Sequence, residues 1–224
     1  MKTLFLMSAS ASLMAASPAL AQTATVAPVA ASATQCELHV WPAERFQART
    51  SGWGVGFGMI GAMIDASGHA NGDKARRSNL AAALDPEGQV EALKSLDLLT
   101  LLQLPATTTV VSHNDPLDRK TLGKINTRRS DSVSPCYTEL MVSDVLYTKA
   151  AMWGRSLRTG FTVRRFGASN DAPAKSSSTG GNKLKLFPPK EGDDVTASNQ
   201  ELVDMFKKDF VEAAGNLSRQ ATGG

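Results

Sequence analysis

Three histidines, His39, His69 and His113, are the residues of this chain best suited to acid–base or metal chemistry, because imidazole titrates near neutral pH and is a common metal ligand. None stands in an H-E-x-x-H or comparable spacing, so sequence adjacency alone builds no metal centre. His39 and His113 lie in two segments that read as strands. If those strands are neighbours the imidazoles can meet, and with Glu37, Asp115 or Glu139 they would assemble a metal or acid–base site. The competing reading makes each a surface or structural histidine. A serine nucleophile has no G-x-S-x-G elbow to sit on.

Cys36 and Cys136 are an even pair in a chain that opens with an export signal, which predicts one disulfide. They are far from a Cys-x-x-Cys redox spacing. Lipidation of Cys36 is the alternative, and the preceding Ala33-Thr34-Gln35 is a poor fit to it, since glutamine replaces the small residue such processing prefers.

The segment SGWGVGFGMIGAMIDASG contains Gly56-Phe57-Gly58-Met59-Ile60-Gly61, a G-x-G-x-x-G string. That string binds a dinucleotide where a strand leads into it and an acidic residue closes the next strand. The lead-in Phe46 to Ser51 reads as polar and helix-compatible, so neither nucleotide nor other cofactor is expected. A face made of Gly54, Gly58 and Gly61 instead predicts close packing against a helix or sheet, with self-association or lipid contact as the alternative.

The elements that must position these residues follow from periodicity. The opening MKTLFLMSASASLMAASPALAQ carries Lys2, an apolar stretch and Ala19-Leu20-Ala21, which predicts a signal peptide over 1–21 and a mature start at Gln22. Ser8, Ser10, Ser12 and Ser17 dilute its apolar core, so a retained anchor is not expected, and no transmembrane segment remains after cleavage. With 24 basic and 21 acidic side chains, the charge is too balanced to bind nucleic acid by its field. Residues 22–35 read as a flexible leader.

An α/β domain is expected over 36–167. CELHVW alternates, with Cys36, Leu38 and Val40 on one face and Glu37, His39 and Trp41 on the other, until Pro42 stops it. Asp85-Pro86-Glu87 starts a helix whose apolar stripe extends to Pro105. TTTVVSH reads as a short strand, 114–135 as a long exposed loop, and CYTELMVSDVLYT with RSLRTGFTVRRFG as a strand pair joined through KAAMWG. In that pair Arg155 and Arg165 share one face and Arg158 and Arg164 the other. They would protect an edge strand or meet an anion. Cysteines at two strand starts can bond if those strands are parallel neighbours, the helix supplying the crossover.

Residues 168–197, rich in serine, glycine, proline and charge, predict a disordered linker. A C-terminal helix over 198–217 follows, with Ser198 and Glu201 as a capping box. Its stripe of Leu202, Phe206, Phe210, Ala214 and Leu217 is to be buried on its own domain or, alternatively, on a partner.

This order of elements over 36–166, with the glycine-rich GFGMIGAMIDA, resembles the small periplasmic α/β domains of bacterial envelope proteins: the curli-secretion lipoprotein, the outer-membrane activators of cell-wall synthases and the N-terminal domain of the Tol translocation protein. The resemblance implies a protein that binds or assembles rather than catalyses, and it carries over no functional residue. The fold expected is therefore a small mixed α/β sheet layered with helices and locked by one disulfide. The function expected is that of a periplasmic, secreted or outer-membrane-associated binding or assembly protein whose partner is another envelope protein or a second copy. An exported hydrolase or metal-dependent enzyme using His39 and His113 is the alternative.

Overall fold

Alternation and a proline stop decide where this chain first becomes sheet. The structure, a computed structural model, describes residues 35–44, 46–51, 58–118, 122, 124–167 and 173–222, with the side chains of 58–69 and 220–222 outside that description. Strand β1 is Glu37–Trp41 and ends at Pro42, which has no N–H to continue a ladder. After that break the chain resumes as β2, Phe46–Ser51. The helices α1 Gly58–Ala83, α2 Pro86–Lys94 and α3 Leu98–Leu101 lead to β3, Thr109–Ser112. Then come β4 Tyr137–Ala150, β5 Gly154–Phe166, β6 Ala174–Leu184 and the terminal helix α4 Val195–Thr222.

The sheet runs β3-β1-β4-β5-β6, mixed in direction. β4 is the spine. Along one edge it pairs in parallel with β1 from Tyr137 to Met141 and then with β2 from Val145 to Ala150; along the other it pairs antiparallel with β5. Ser143 is an extra residue between Val142 and Asp144 in the β5 register. Such a bulge shifts the alternation by one residue, so Leu140 and Val142 before it and Val145 and Tyr147 after it all enter the same core. Cys36 and Cys136 sit at the starts of the parallel neighbours β1 and β4 and are bonded, with Cα atoms 4.6 Å apart.

One face of the sheet is covered by helices. Leu38, Val40, Leu140, Val163 and Phe161 pack there against Leu80, Leu84, Leu93, Phe206 and Phe210. Gln89 of α2 is fully buried and pins that layer: its Oε1 accepts from Ala43 N at 2.9 Å, and its Nε2 donates to Leu84 O at 3.0 Å. The other face carries a smaller cluster of Trp41, Tyr137, Met141 and Phe166, with Leu117 and Leu122 packed on it.

Several expectations need correction. The stretch after Asp85 is two helices, because Ser95 closes α2 and the Asp97 carboxylate caps α3 by accepting Thr100 N at 3.1 Å. α4 begins before Ser198, because Asp194 caps it by accepting Thr196 N at 2.8 Å and Ala197 N at 3.1 Å. Glu201 is thereby released from a capping box. It accepts the N–H groups of Lys185, Leu186 and Phe187 instead.

The segment read as a disordered linker contains β6, paired with β5 over its whole length. Its small residues are what α4 needs: a Cβ on Gly180 would lie 2.1 Å from Asp209 O, so only glycine lets the helix lie this close. Asn182 Nδ2 and Thr159 Oγ1 then donate to the buried Asp209 carboxyl at 2.7 and 2.9 Å. The four stripe residues with a possible partner role, Leu202, Phe206, Phe210 and Leu217, are all fully buried in the chain's own core. β5 lies between β4 and β6, so its arginines protect no edge.

Phe46–Ser51 is a strand and not a helix-compatible lead-in. Its successor β3 pairs with β1 and not with β2, unlike the adjacent strands of a dinucleotide-binding unit. Gly54 lies outside the described residues; Gly58 and Gly61 lie in the first turns of α1, with their surroundings outside the description.

Candidate functional site

Strand parity sends Glu37, His39 and Trp41 to the face away from the helices, and β3 brings His113 beside them: His113 N donates to Val40 O at 2.9 Å. The two imidazoles meet directly, His39 Nδ1 and His113 Nε2 being 2.8 Å apart. Trp41 lies parallel to the His113 ring at 4.1 Å and 3°, and Tyr137 tilts against His39 at 4.7 Å.

Hydrogen-bond logic sets the protons. The Glu37 carboxylate can only accept, so His39 Nε2 donates to it at 3.0 Å. In neutral His39 the Nδ1 lone pair then accepts from His113 Nε2–H, which leaves His113 Nδ1 as the terminal basic atom. Ser132 Oγ donates to the same Glu37 oxygen. The hydroxyl and the imidazole thus share an acceptor, and neither activates the other. The Ser132 and His39 hydrogen bonds hold the Glu37 carboxyl below its usual range. Burial, and then the adjacent His39, push His113 below the ordinary histidine value, since a second cation at this distance is repelled.

Behind the histidines lies a second polar layer. Glu139 is fully buried and accepts from Arg164 Nε at 2.6 Å, from Arg129 N at 2.8 Å and from the Tyr137 hydroxyl at 3.2 Å. Burial and the Glu139 charge push the Tyr137 hydroxyl up to about 12, so it stays a donor. Arg164 also reaches the carbonyls of Ile125 and Thr127, and Arg128 those of Ser132, Ser134 and Gly167. Arg128 stands over the Tyr137 ring at 5.0 Å. These arginines tie the long loop to the sheet and to the residue after β5 through backbone carbonyls, by charge-assisted hydrogen bonds. Most described residues of this loop are exposed, as expected, and it meets the face through Arg128, Arg129, Ser130 and Ser132.

Of the sequence-derived candidates, His39, His113, Glu37 and Glu139 come together. Among the described residues no group of three His, Cys, Asp or Glu is placed to hold a metal ion. The His69 side chain lies outside the description. Ser132, Tyr137 and the loop arginines carried no sequence motif.

A second region differs in every respect. The β4–β5 turn, Ala151 to Trp153, leaves Met152 74% and Trp153 79% exposed. As sequence, KAAMWG reads only as a connection; two large apolar residues inside a turn are the signal passed over in it. Lys149, Lys183 and Lys185 are exposed at the same end of the sheet, which the pairings Lys149↔Arg155 and Arg155↔Leu184 define.

Neither a protein-family model nor a curated protein matches the chain. Among solved structures it is similar to a hypothetical protein from Chlamydia trachomatis, at 10% identity and a TM-score of 0.36, covering 85% of this chain and 99% of that one. It is also similar to an uncharacterised protein, at 11% identity and a TM-score of 0.27, covering 84% and 93%. Likeness at this level assigns neither a family nor an activity.

Proposed function

We propose that the protein is an exported cell-envelope binding or assembly protein that acts by contact rather than catalysis. The observation that carries this reading is the exposure of Met152 and Trp153 at the tip of a hairpin anchored in the sheet. Large apolar side chains grouped on a surface are the ordinary mark of an interaction site. The Cys36–Cys136 bond supports export, since such bonds persist in oxidising compartments. Among the described residues no helix is long and apolar enough to cross a membrane. The test is the recovery of the mature chain with sedimented envelopes of its own cell: the native chain should sediment with them and Met152→Ser should be released, and equal retention of the two would overturn the reading.

The direct His39–His113 contact, with Glu37 behind it and His113 Nδ1 at its end, favours a second reading as an exported hydrolase or metal-dependent enzyme. A stoichiometric metal in the purified protein, lost in His113→Gln, would support it. A metal-free native chain with no hydrolytic activity that His113→Gln removes would end it.

A further inference from the structure

Beyond the turn itself, the end of the sheet gathers further apolar and cationic side chains. Leu186 is 49% and Val195 55% exposed, on the connection that follows β6 and at the start of α4. A recess of about 220 Å³ opens there between Arg155, Lys185 and Lys190, with Leu186 in its wall. Asp193 and Asp194 also line it and carry their negative charge there while accepting backbone N–H groups: Asp193 that of Lys190 at 2.9 Å, and Asp194 those at the start of α4. Glu191, Asp193 and Asp194 are the exposed acids on the same connection, three against the exposed Lys149, Lys183, Lys185 and Lys190, with the half-buried Arg155 as a further cation.

We propose that this end of the molecule docks on an anionic lipid bilayer, with Met152 and Trp153 entering the headgroup layer and the surrounding lysines meeting lipid phosphates. The proposal rests on the envelope-binding reading and names the partner's chemistry. Two features favour a bilayer over an acidic protein. The apolar residues sit on a protruding turn, which a deformable layer accommodates and a rigid partner must match with a pocket. Tryptophan, with an apolar body and one N–H donor, is also the side chain most suited to the boundary between headgroups and acyl chains. Cations beside that wedge add attraction only where lipid is negatively charged.

The test is co-sedimentation of the mature protein with vesicles of phosphatidylcholine alone or mixed with about a third phosphatidylglycerol, a composition that gives the anionic surface the lysines need. Binding is expected to the mixed vesicles only, weakening as salt rises. Trp153→Ser should weaken it by about tenfold or more, as loss of an inserted wedge requires. Lys185→Gln should weaken it about fivefold, the effect of one charge near the surface. Val133→Ser, at a residue 94% exposed outside this region, should leave it unchanged. Sedimentation with neither vesicle, or equal loss in Trp153→Ser and Val133→Ser, would overturn the proposal. Retention on native envelopes that needs Trp153 without any vesicle binding would also overturn it, pointing to an acidic protein and leaving the envelope-binding reading intact. Loss of both would end that reading as well.

Discussion

The two ends of β4 handle unlike side chains in opposite ways. At the Tyr137 end the strand is buried on both faces, and residues that look chemically able, Glu37, His39, Glu139 and Arg164, are spent on one another and on loop carbonyls. At the Ala150 end the strand turns through residues with no reactive group, and Met152 and Trp153 stand in solvent. The titratable residues of the closed end are paired with one another, whereas the open end presents apolar side chains beside exposed lysines. Reactive residue types indicate a site only when their hydrogen-bonding capacity is left over.

The comparison breaks most readily at Glu139. Glu139→Ala would leave Arg164 buried without its carboxylate, and removing one partner of a buried ion pair costs about 3–5 kcal/mol. Urea unfolding should show that loss, and a cost below about 1 kcal/mol would mean that the network is not holding the loop.

The seam between β6 and α4 is closed in a different way, by smallness. Gly180→Ala should cost roughly 3 kcal/mol, the upper end of ordinary overpacking, because the obstacle is Asp209 backbone and not a movable side chain. A thermal midpoint equal to that of the native chain would contradict this packing.

The same seam sharpens the comparison through pH. Burial raises the Asp209 carboxyl to about 6 from an ordinary 3.8. A raised acid binds its proton more tightly in the native state, so stability is highest when both states are protonated and falls as pH rises from about 4 to about 6, by up to roughly 3 kcal/mol. Asp209→Asn should remove that fall, seen as a native-minus-variant difference that grows over this window and is flat above it. His113 has the opposite sign. Its lowered value means that the unfolded state takes the proton first, so stability drops as pH falls below about 6.5, and His113→Gln should remove that drop.

The smallest stability effect belongs to the open end. Trp153→Ser changes a side chain that is mostly in water and should shift unfolding by no more than about 0.5 kcal/mol. A larger loss would show that the tip is part of the fold and not a free surface.

Much of this was legible in residue order. Alternation in CELHVW assigned faces correctly because the helix layer buries only one parity, and the cysteines at two strand starts implied parallel neighbours, which β1 and β4 are. The helix after Asp85 was readable from its cap, although a second capping residue, Asp97, split it. β6 was not readable: AKSSSTGGNKL has neither alternation nor β-branched bulk, and its place depends on a helix lying against glycine. β2 was hidden because FQARTS owes its strand to the free edge of β4. The histidine pair was legible as a possibility. Its closure was not, because Ser132, Arg128 and Arg129 reach it from a loop with no periodic pattern.

The measurement closest to the central claim sets the two regions side by side. Native, Trp153→Ser and His113→Gln chains, each first shown to be folded at the working temperature, are compared for recovery with sedimented envelopes. The account predicts that Trp153→Ser is released while His113→Gln stays bound. Release of His113→Gln with retention of Trp153→Ser would contradict it and move the working surface to the histidine face.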